Sequence, residues 1–266
     1  MAGHLSVVSG GKSSDGWDPG RLVLDRYLLE AEIGAGGMGQ LFRGRDKRMN
    51  RAVAIKVMRL PRDRAHAKRQ LDRFDREADV IARICDEHAN VPFIFDRGVD
   101  DDRYVIVMEL LIGRDLSQIL RRAGALRLHD ALYVAAEVSK PLATAHAKGV
   151  IHRDVKPANI FLCSGVLPAG KAPVRLMDFG VARVAEASTI TDEHATVGTA
   201  LYIAPEAFEH AKRADARVDI YALGVVTLEM LAAPVPTVKR PRCSSCPARN
   251  GALPISPVQV VERVGA

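Results

Sequence analysis

Apolar and polar residues alternate along the first third of the chain after Tyr27. The run YLLEAEIGAGGMGQLFRGRD alternates around a cluster of glycines, and RAVAIKVMRL is rich in apolar and β-branched residues. PFIFDRGVD and RYVIVMEL follow as a further pair. A period of two is typical of half-buried strands, and glycines between two such runs are typical of a turn. The pattern predicts an antiparallel sheet with a glycine-rich turn.

Helical periodicity interrupts these strands once and then dominates the rest of the chain. Residues 66–84 place apolar side chains at helical spacing, which predicts an amphipathic helix. Beyond Gly113, HDALYVAAEVSKPLATAHAKG is periodic and stops at Gly149, NIFLC and VRLMDF suggest a small hairpin, and ARVDIYALGVVTLEML predicts a buried helix. A strand-rich first third and a helix-rich remainder predict an α+β protein in two lobes.

Composition narrows the class of protein without changing this picture. The chain has 266 residues, is 48% hydrophobic and carries a modest net charge of +6, with basic and acidic residues intermixed, so we expect no dedicated nucleic-acid binding. Four cysteines (Cys85, Cys163, Cys243 and Cys246) make no disulfide framework in a chain of this length. The start shows no signal peptide, and the most apolar run is short and contains Glu229, so we expect a cytoplasmic protein without a membrane span in this chain.

The glycine cluster GAGGMG contains Gly34, Gly36 and Gly39 in a GxGxxG spacing. A dinucleotide-binding interpretation requires a helix directly after the glycines, whereas here QLFRGRD alternates like a strand. Glycines between two strands can instead lay backbone N–H groups over phosphates. The context therefore favours a phosphate-covering hairpin over a dinucleotide fingerprint.

Lys56 lies inside the apolar strand AVAIKVM, where an ammonium group is costly without a negative partner. A lysine on an exposed strand face is the plain alternative. Glu77, on the following amphipathic helix, is a candidate partner that would aim Lys56 at a phosphate.

The stretch HRDVKPANIF places polar groups between two apolar runs. Asp154 could accept a proton or orient a hydroxyl, and Lys156 could neutralise charge that develops on a phosphate. Asn159 and Asp178, the latter at the end of the apolar run VRLMD, carry oxygens that suit a hard cation such as Mg²⁺. These four residues are the main candidates for chemistry.

Together these segments make the chain resemble the eukaryotic-type protein kinase family. The resemblance rests on an ordered set: GAGGMGQL, VAIK (53–56), HRDVKPAN (152–159), DFG (178–180), GTALYIAPE (198–206) and DIYALG (219–224). It runs from about Tyr27 to Pro236. Lys156 and Thr199 resemble the serine/threonine-specific branch, and the motifs as a whole look most like its bacterial members.

The resemblance implies a nucleotide site that covers the phosphates, sandwiches the adenine, meets the base edge and touches the ribose. The residues implied are Gly34, Gly36, Gly39, Leu41, Ala54, Lys56, Met108, Glu109, Leu111, Asp115 and Phe161. Met108 would be the gatekeeper, and Glu109 and Leu111 would act through their backbones. The implied cofactors are ATP and Mg²⁺, with Mn²⁺ as an alternative ion.

It also implies catalytic roles. Asp154 would orient the hydroxyl of a serine or threonine in a protein substrate, Lys156 would steady the transferred phosphoryl group, and Lys56 would hold the α- and β-phosphates while pairing with Glu77. Asn159 and Asp178 would hold the metal. Asp219, in the buried helix, would brace the catalytic loop from below.

Arg153, beside Asp154, suggests control by phosphorylation of the loop 181–199, because an arginine there needs a phosphate partner when the loop is ordered. Thr189 and Thr191 are the candidate sites. A dimer that phosphorylates itself in trans is the expected partner arrangement.

The expected domains are a disordered segment 1–20, a small lobe 21–112, a large lobe 113–236 and an atypical Pro/Arg-rich tail 237–266. Nothing aligns after Pro236, where the family continues through several helices, so we expect an incomplete large lobe. In the tail, 256–265 alone has a helical pattern. Two alternatives to an active kinase domain stay open here: a non-catalytic ATP-binding or scaffolding module, and a truncated inactive kinase.

Overall fold

A computed structural model describes residues 17–36, 39–60, 63, 71, 75, 79, 81–164, 173–179, 199–209, 215–232, 237–239 and 252–254. These residues form two compact units. The first contains the described residues up to Gly113 together with Cys163 and Ser164. The second contains 114–162 and the described residues from Pro173 onward.

The first unit is built on a six-stranded antiparallel sheet with the order β1-β2-β3-β4-β6-β5. Its strands are β1 (Leu22–Val23), β2 (Tyr27–Gly36), β3 (Gly39–Asp46), β4 (Arg51–Arg59), β5 (Ile94–Asp100) and β6 (Arg103–Glu109). The strands predicted from alternation are confirmed. Their register places one apolar face in a core that includes Tyr27, Phe42, Ile55 and Val107.

The two edges of this sheet approach each other. The backbone N–H of Leu24, just after β1, donates to Asp100 Oδ2 at 2.6 Å, and Arg21 Nη2 donates to Asp100 Oδ1 at 2.7 Å. A Cβ added to Gly98 of β5 would lie 2.9 Å from the side chain of Leu24. The sheet is therefore strongly curved, and its first and last strands meet around the core.

Trp17 belongs to this core, although the sequence predicted disorder for residues 1–20. Its side chain is 2% exposed, and the guanidinium carbons of Arg21 and Arg103 lie 4.1 and 5.6 Å from its ring centroid. The prediction is wrong for residues 17–20, because a low-complexity composition hid one large apolar anchor. Residues 1–16 lie outside the described part of the chain.

Helix α1 is described at residues 71, 75 and 79 and from 81 to 87. Ile81, Ile84 and Cys85 are buried. The amphipathic helix predicted over 66–84 is confirmed at its described positions, and it continues to residue 87.

The second unit is mainly helical. It contains α2 (Leu116–Ala123), α3 (Leu128–Ala147), α4 (Pro205–Glu209) and α5 (Arg217–Ala232), with 3-10 turns at Pro157–Asn159 and Thr199–Tyr202. The sheet β7 (Gly113–Asp115), β8 (Ile160–Cys163) and β9 (Val174–Leu176) has the order β7-β8-β9. The predicted hairpin is confirmed, with Ile160 opposite Leu176.

The long helix α3 ends where the sequence predicts. Gly149 has φ +74° and donates its N–H to the carbonyl of His146 at 3.0 Å, which closes the last turn. The buried helix α5 is also confirmed: Val218, Val226 and Met230 are buried. The backbone N–H of Leu126 donates to the carbonyl of Met230 at 2.6 Å, and this hydrogen bond joins the α2–α3 connection to α5.

A short ribbon occurs in the tail, at positions where the sequence predicted no regular element. Strands β10 (Thr237–Lys239) and β11 (Ala252–Pro254) pair antiparallel. The predicted helix at 256–265 lies outside the described residues. Among the residues that are described, no helix has the length and apolar character needed to cross a membrane.

Candidate functional site

The glycine turn connects two strands, which agrees with the phosphate-covering interpretation and not with a dinucleotide fingerprint. Gly36 of β2 stands opposite Gly39 of β3. Gly39 has φ +139°, and a Cβ there would lie 2.1 Å from the carbonyl oxygen of Val57. At Gly34 a Cβ would meet only an ordinary contact, 3.8 Å from Leu41 Cβ. The backbone geometry therefore demands glycine at position 39 and tolerates a side chain at position 34.

Four predicted nucleotide residues share one face of the curved sheet. Leu41 stands opposite Lys56, and Ala54 stands opposite Met108. Residues directly opposite each other point to the same face, and Ala54 and Lys56 are two positions apart on β4. The alternate residues of β4 are buried in the core on the other face: Val53, Ile55 and Val57.

The segment after β6 carries the predicted base-edge contacts. The N–H of Glu109, the last residue of β6, donates to the carbonyl of Phe93 at 2.8 Å, and its carboxylate accepts from Phe93 N–H at 3.3 Å. Leu111 follows in an irregular stretch before β7. The backbone thus leaves the hydrogen-bonded sheet between Glu109 and Leu111, the two residues predicted to meet the base edge.

Asp115 caps helix α2. Its Oδ1 accepts from the N–H of Gln118 at 2.9 Å and from the hydroxyl of Ser117. This capping role was not predicted, and the contact with a ribose stays a prediction. A cap of this kind stabilises a helix by about 1 kcal/mol.

Asp219 organises the backbone of the HRD segment from beneath. The carboxylate is fully buried and accepts from the N–H of His152 at 2.8 Å and the N–H of Arg153 at 2.7 Å. Arg153 has φ +62°, a left-handed conformation that costs free energy in a residue with a side chain. The two hydrogen bonds to one buried carboxylate hold that conformation, and the predicted brace is confirmed.

His146, near the end of α3, was missed in the sequence. Its Nε2 lies 2.7 Å from Asp219 Oδ2, so it completes the set of donors around the buried carboxylate. Its partner lies 73 residues away in the chain, so no local pattern in the sequence could identify the pair.

The ring of His152 joins the HRD segment to the DFG segment. Its Nε2 donates to the carbonyl of Met177 at 2.9 Å, its Nδ1 accepts from the N–H of Asp154 at 3.3 Å, and its ring centroid lies 4.6 Å from that of Phe179. Burial lowers the pKa of the His152 imidazole. The ring is therefore neutral, with the proton on Nε2, because Nδ1 faces a donor.

Asp154 is the hub of the polar cluster in HRDVKPANIF. Its Oδ2 lies 2.9 Å from Lys156 Nζ and accepts from Asn159 Nδ2 at 2.8 Å. The same amide nitrogen donates to the backbone carbonyl of Asp154 at 2.8 Å. Both bonds of Nδ2 fix the orientation of the Asn159 amide, so its Oδ1 is turned away from Asp154.

Asn159 and Asp178 lie at the same end of the β8–β9 hairpin. The N–H of Met177 donates to the carbonyl of Asn159 at 2.7 Å, and Asp178 is the next residue, with φ +54°. An amide oxygen and carboxylates form an oxygen-only donor set, which suits Mg²⁺. In the described part of the chain no three His, Cys, Asp or Glu side chains are grouped to hold a metal. Such a site fits an ion that takes its other ligands from phosphates and water.

Phe161 is half-buried on β8, opposite the buried Arg175. Glu77, Thr189 and Thr191 lie outside the described residues, so the Lys56–Glu77 pair and the two phosphorylation sites stay predictions.

A second acid of α5, Glu229, is partly buried. Tyr202 donates its hydroxyl to Glu229 Oε2 at 2.6 Å, and burial raises the pKa of both groups. In the sequence, Glu229 interrupts an apolar run and has no evident partner. The structure shows that its partner is Tyr202, which lies in the segment before α4.

Comparison with known proteins gives consistent matches. The family model described as protein kinase domain matches residues 27–245, so it extends nine residues past Pro236, where we expected the resemblance to end. The chain is 39% identical over 216 residues to the probable serine/threonine-protein kinase PknB of Corynebacterium glutamicum, covering 79% of this chain and 32% of that protein. It is 36% identical over 217 residues to the serine/threonine-protein kinase PknL of Mycobacterium tuberculosis, covering 81% and 51%.

Among solved structures, the chain is similar to the PknI kinase domain of Mycobacterium tuberculosis, with a TM-score of 0.62 and 27% identity over 84% of this chain and 80% of that one. This likeness confirms the predicted α+β fold. The chain spans only 32% and 51% of the length of these two curated relatives, PknB and PknL.

Proposed function

The chain belongs to the protein kinase domain family, and on that premise we propose that it is a serine/threonine protein kinase catalytic domain. It transfers the γ-phosphate of ATP to serine or threonine hydroxyls of protein substrates. Members of the family use ATP and Mg²⁺, and we extend that requirement to this chain, with Mn²⁺ as a substitute ion. The domain assignment follows the sequence: a small lobe from 21 to 112 and a large lobe from 113 to 236.

The arrangement around Asp154 is the observation that carries this proposal. One carboxylate oxygen is engaged by Lys156 and Asn159, at 2.9 and 2.8 Å. A carboxylate fixed in this way can orient a substrate hydroxyl and accept its proton as the phosphoryl group is transferred. Lys156, already beside it, is placed to offset negative charge on the transferred group.

The remaining roles follow the family motifs. ATP with its metal supplies the phosphoryl group and neutralises phosphate charge. Asn159 Oδ1 and Asp178 hold the metal, Lys56 paired with Glu77 holds the α- and β-phosphates, and the glycine hairpin covers them. The adenine lies among the residues that surround it in the family: Leu41, Ala54, Met108, Glu109, Leu111, Asp115 and Phe161.

The first experiment measures transfer of the ATP γ-phosphate to the protein itself and to a generic basic protein, with Mg²⁺ and with Mn²⁺. Asp154→Asn is the matched control. It keeps the volume of the side chain but removes the base, so we expect transfer to fall by about 10²–10⁴-fold.

A thermal melt with and without Mg-ATP accompanies this assay, because a ligand stabilises only a folded state that binds it. Folded wild-type protein that binds ATP but transfers no phosphate contradicts a catalytic role and identifies a nucleotide-binding module.

We further propose that the domain is activated by phosphorylation of Thr189 and Thr191 in trans, within a dimer, and that it acts in the cytoplasm, where ATP is available. Arg153 next to Asp154 and the hydroxyl-rich loop support this. Intact-mass measurement of active protein should find phosphate within 181–199. Active protein without phosphate there rules the proposal out.

A further inference from the structure

Arg97 of β5 binds two aspartates of helix α1 at once. Its Nε lies 3.2 Å from Asp75 Oδ1, and its Nη2 lies 2.7 Å from Asp79 Oδ1. Tyr104 of β6 donates its hydroxyl to the same oxygen of Asp75 at 3.1 Å. Hydrogen bonding with Arg97 lowers the pKa of the Asp79 carboxyl. These four residues are called the Arg97 clamp below.

The Arg97 clamp restricts the rotation of α1 about its own axis as well as its distance from the sheet. Asp75 and Asp79 are four residues apart, so they lie one turn apart on the same flank of α1. A planar guanidinium that reaches both carboxylates can do so in few orientations of the helix. Tyr104 adds a second attachment to the sheet at the same carboxylate.

The clamp stands on the face of the sheet that carries Lys56. In the strand register, Ile106 of β6 is opposite Lys56 of β4 on one side and opposite Arg97 of β5 on the other. Tyr104 is two positions from Ile106 and therefore shares its face. Lys56, Ile106 and Arg97 thus form one row across the adjacent strands β4, β6 and β5. The two ends of this row are cationic, and the apolar Ile106 separates them.

The spacing of that row matches the width of a helix. Strands are about 4.8 Å apart, so the backbones of Lys56 and Arg97 are roughly 10 Å apart, and a helix with its side chains is about 10–12 Å wide. A helix seated over Ile106 turns one flank towards each cation. Asp75 and Asp79 occupy the Arg97 flank, and Glu77, the predicted partner of Lys56, lies between these two aspartates in sequence.

We propose that Arg97 is a positioning residue for phosphoryl transfer: by holding Asp75 and Asp79, it sets α1 so that Glu77 meets Lys56. This inference rests on the proposed kinase function. In this proposal Arg97 acts through the helix and not by contact with the nucleotide or the substrate. The aspartates are more than half exposed, so each ion pair is worth little alone, and the effect comes from fixing the helix in one orientation.

The test compares Arg97→Gln with Arg21→Gln. Arg21 is a matched control, because it also bridges two aspartates, Asp100 and Asp101, at 2.7 and 2.5 Å and with a similar exposure, but it contacts no residue of α1 among those described. Steady-state kcat and the KM for ATP are measured beside hydrogen exchange of the peptide 71–87. Arg97→Gln should lower kcat about threefold to tenfold and speed exchange in 71–87. Arg21→Gln should leave kcat within about twofold of wild type.

A charge swap provides the rescue. Asp79→Arg alone should lower kcat as Arg97→Gln does, and adding Arg97→Glu should restore most of the loss, because the new guanidinium at position 79 faces both the new carboxylate and Asp75 one turn earlier. A purely structural role would change the melting temperature without this recovery of kcat.

The inference is overturned if Arg97→Gln leaves kcat and the exchange of 71–87 at wild-type values, or if the swap restores neither. A wild-type protein that transfers no phosphate is a different failure, that of the proposed function. In that case, exchange in 71–87 still decides whether the clamp holds the helix: faster exchange in Arg97→Gln than in Arg21→Gln supports it, and equal exchange refutes it.

Discussion

The two units support their candidate residues in different ways. In the first, Leu41, Ala54, Lys56 and Met108 stand side by side because strand register puts them on one face, while the opposite face is an apolar core. In the second, Asp154 and its neighbours are held by hydrogen bonds that end at buried polar groups, above all Asp219.

This difference bears on how each unit responds to substitution. Apolar burial is non-directional and roughly proportional to area, so a sheet face survives exchanges of similar size. A buried polar network is directional, and removing one member leaves its partners desolvated and unpaired. The second unit should therefore be the more sensitive to single polar substitutions.

The largest expected effect is that of Asp219→Ala. Three donors, from His146, His152 and Arg153, lose a fully buried acceptor, so we expect the free energy of unfolding to fall by about 3–5 kcal/mol. Urea unfolding followed by circular dichroism measures this loss. Asp215→Ala, at the exposed start of the same helix, is the control and should cost about 1 kcal/mol. Similar losses at both positions would mean that the network is not what supports the second unit.

Gly39→Ala tests a position of the sheet that has no room for a side chain. The added methyl group meets the carbonyl of Val57 in a backbone conformation with φ +139°, so we expect a loss of about 2–3 kcal/mol. Gly34→Ala, whose Cβ has room, should cost less than about 1 kcal/mol. Chemical denaturation of the two variants under the same conditions gives the comparison. Equal costs would contradict the close approach of the turn to β4.

The smallest expected effect is that of Glu229→Gln. Burial raises the pKa of Glu229 above its ordinary 4.5, which means that the folded protein holds the proton more tightly than the unfolded chain. The contribution of Glu229 to stability is therefore greatest below its ordinary pKa and declines as the pH rises through the raised one. Glutamine keeps an acceptor for Tyr202 without the charge, so the variant should melt about 2 °C higher than wild type at pH 8.

At pH 4 the two proteins should melt at similar temperatures, because the carboxyl is then largely protonated in both states. Thermal melts at the two pH values test this. If the melting temperatures differ by the same amount at both pH values, the higher stability of the variant comes from packing and not from loss of the charge. Tyr202→Phe provides the partner control, since it removes the hydroxyl that Glu229 accepts from.

Much of the fold was predictable because its signals are local. Alternation predicted the strands that became β2 to β6, and periodicity with Gly149 predicted the end of α3. The polar residues of HRDVKPANIF also stood out locally, since Asp154, Lys156 and Asn159 interrupt apolar sequence and are close enough in the chain to contact one another.

Other features were out of reach of local patterns. Trp17 lay in a segment with a disordered composition, yet it fills the core of the curved sheet. His146 and Asp219 are 73 residues apart, and Arg97 is 18 and 22 residues from its aspartates. No period or motif links such positions, because their meeting depends on how strands and helices pack.

By itself, the sequence determined which residues are chemically competent and which elements carry them, since propensity, periodicity and motif spacing act over a few neighbouring residues. The tertiary structure alone decided which groups support those residues: Asp219 beneath the HRD backbone, His152 between two segments, Ile106 between Lys56 and Arg97. The physical reason is that a buried polar group must find its partner wherever packing brings one, and a strand's neighbours are set by sheet order and not by order in the chain.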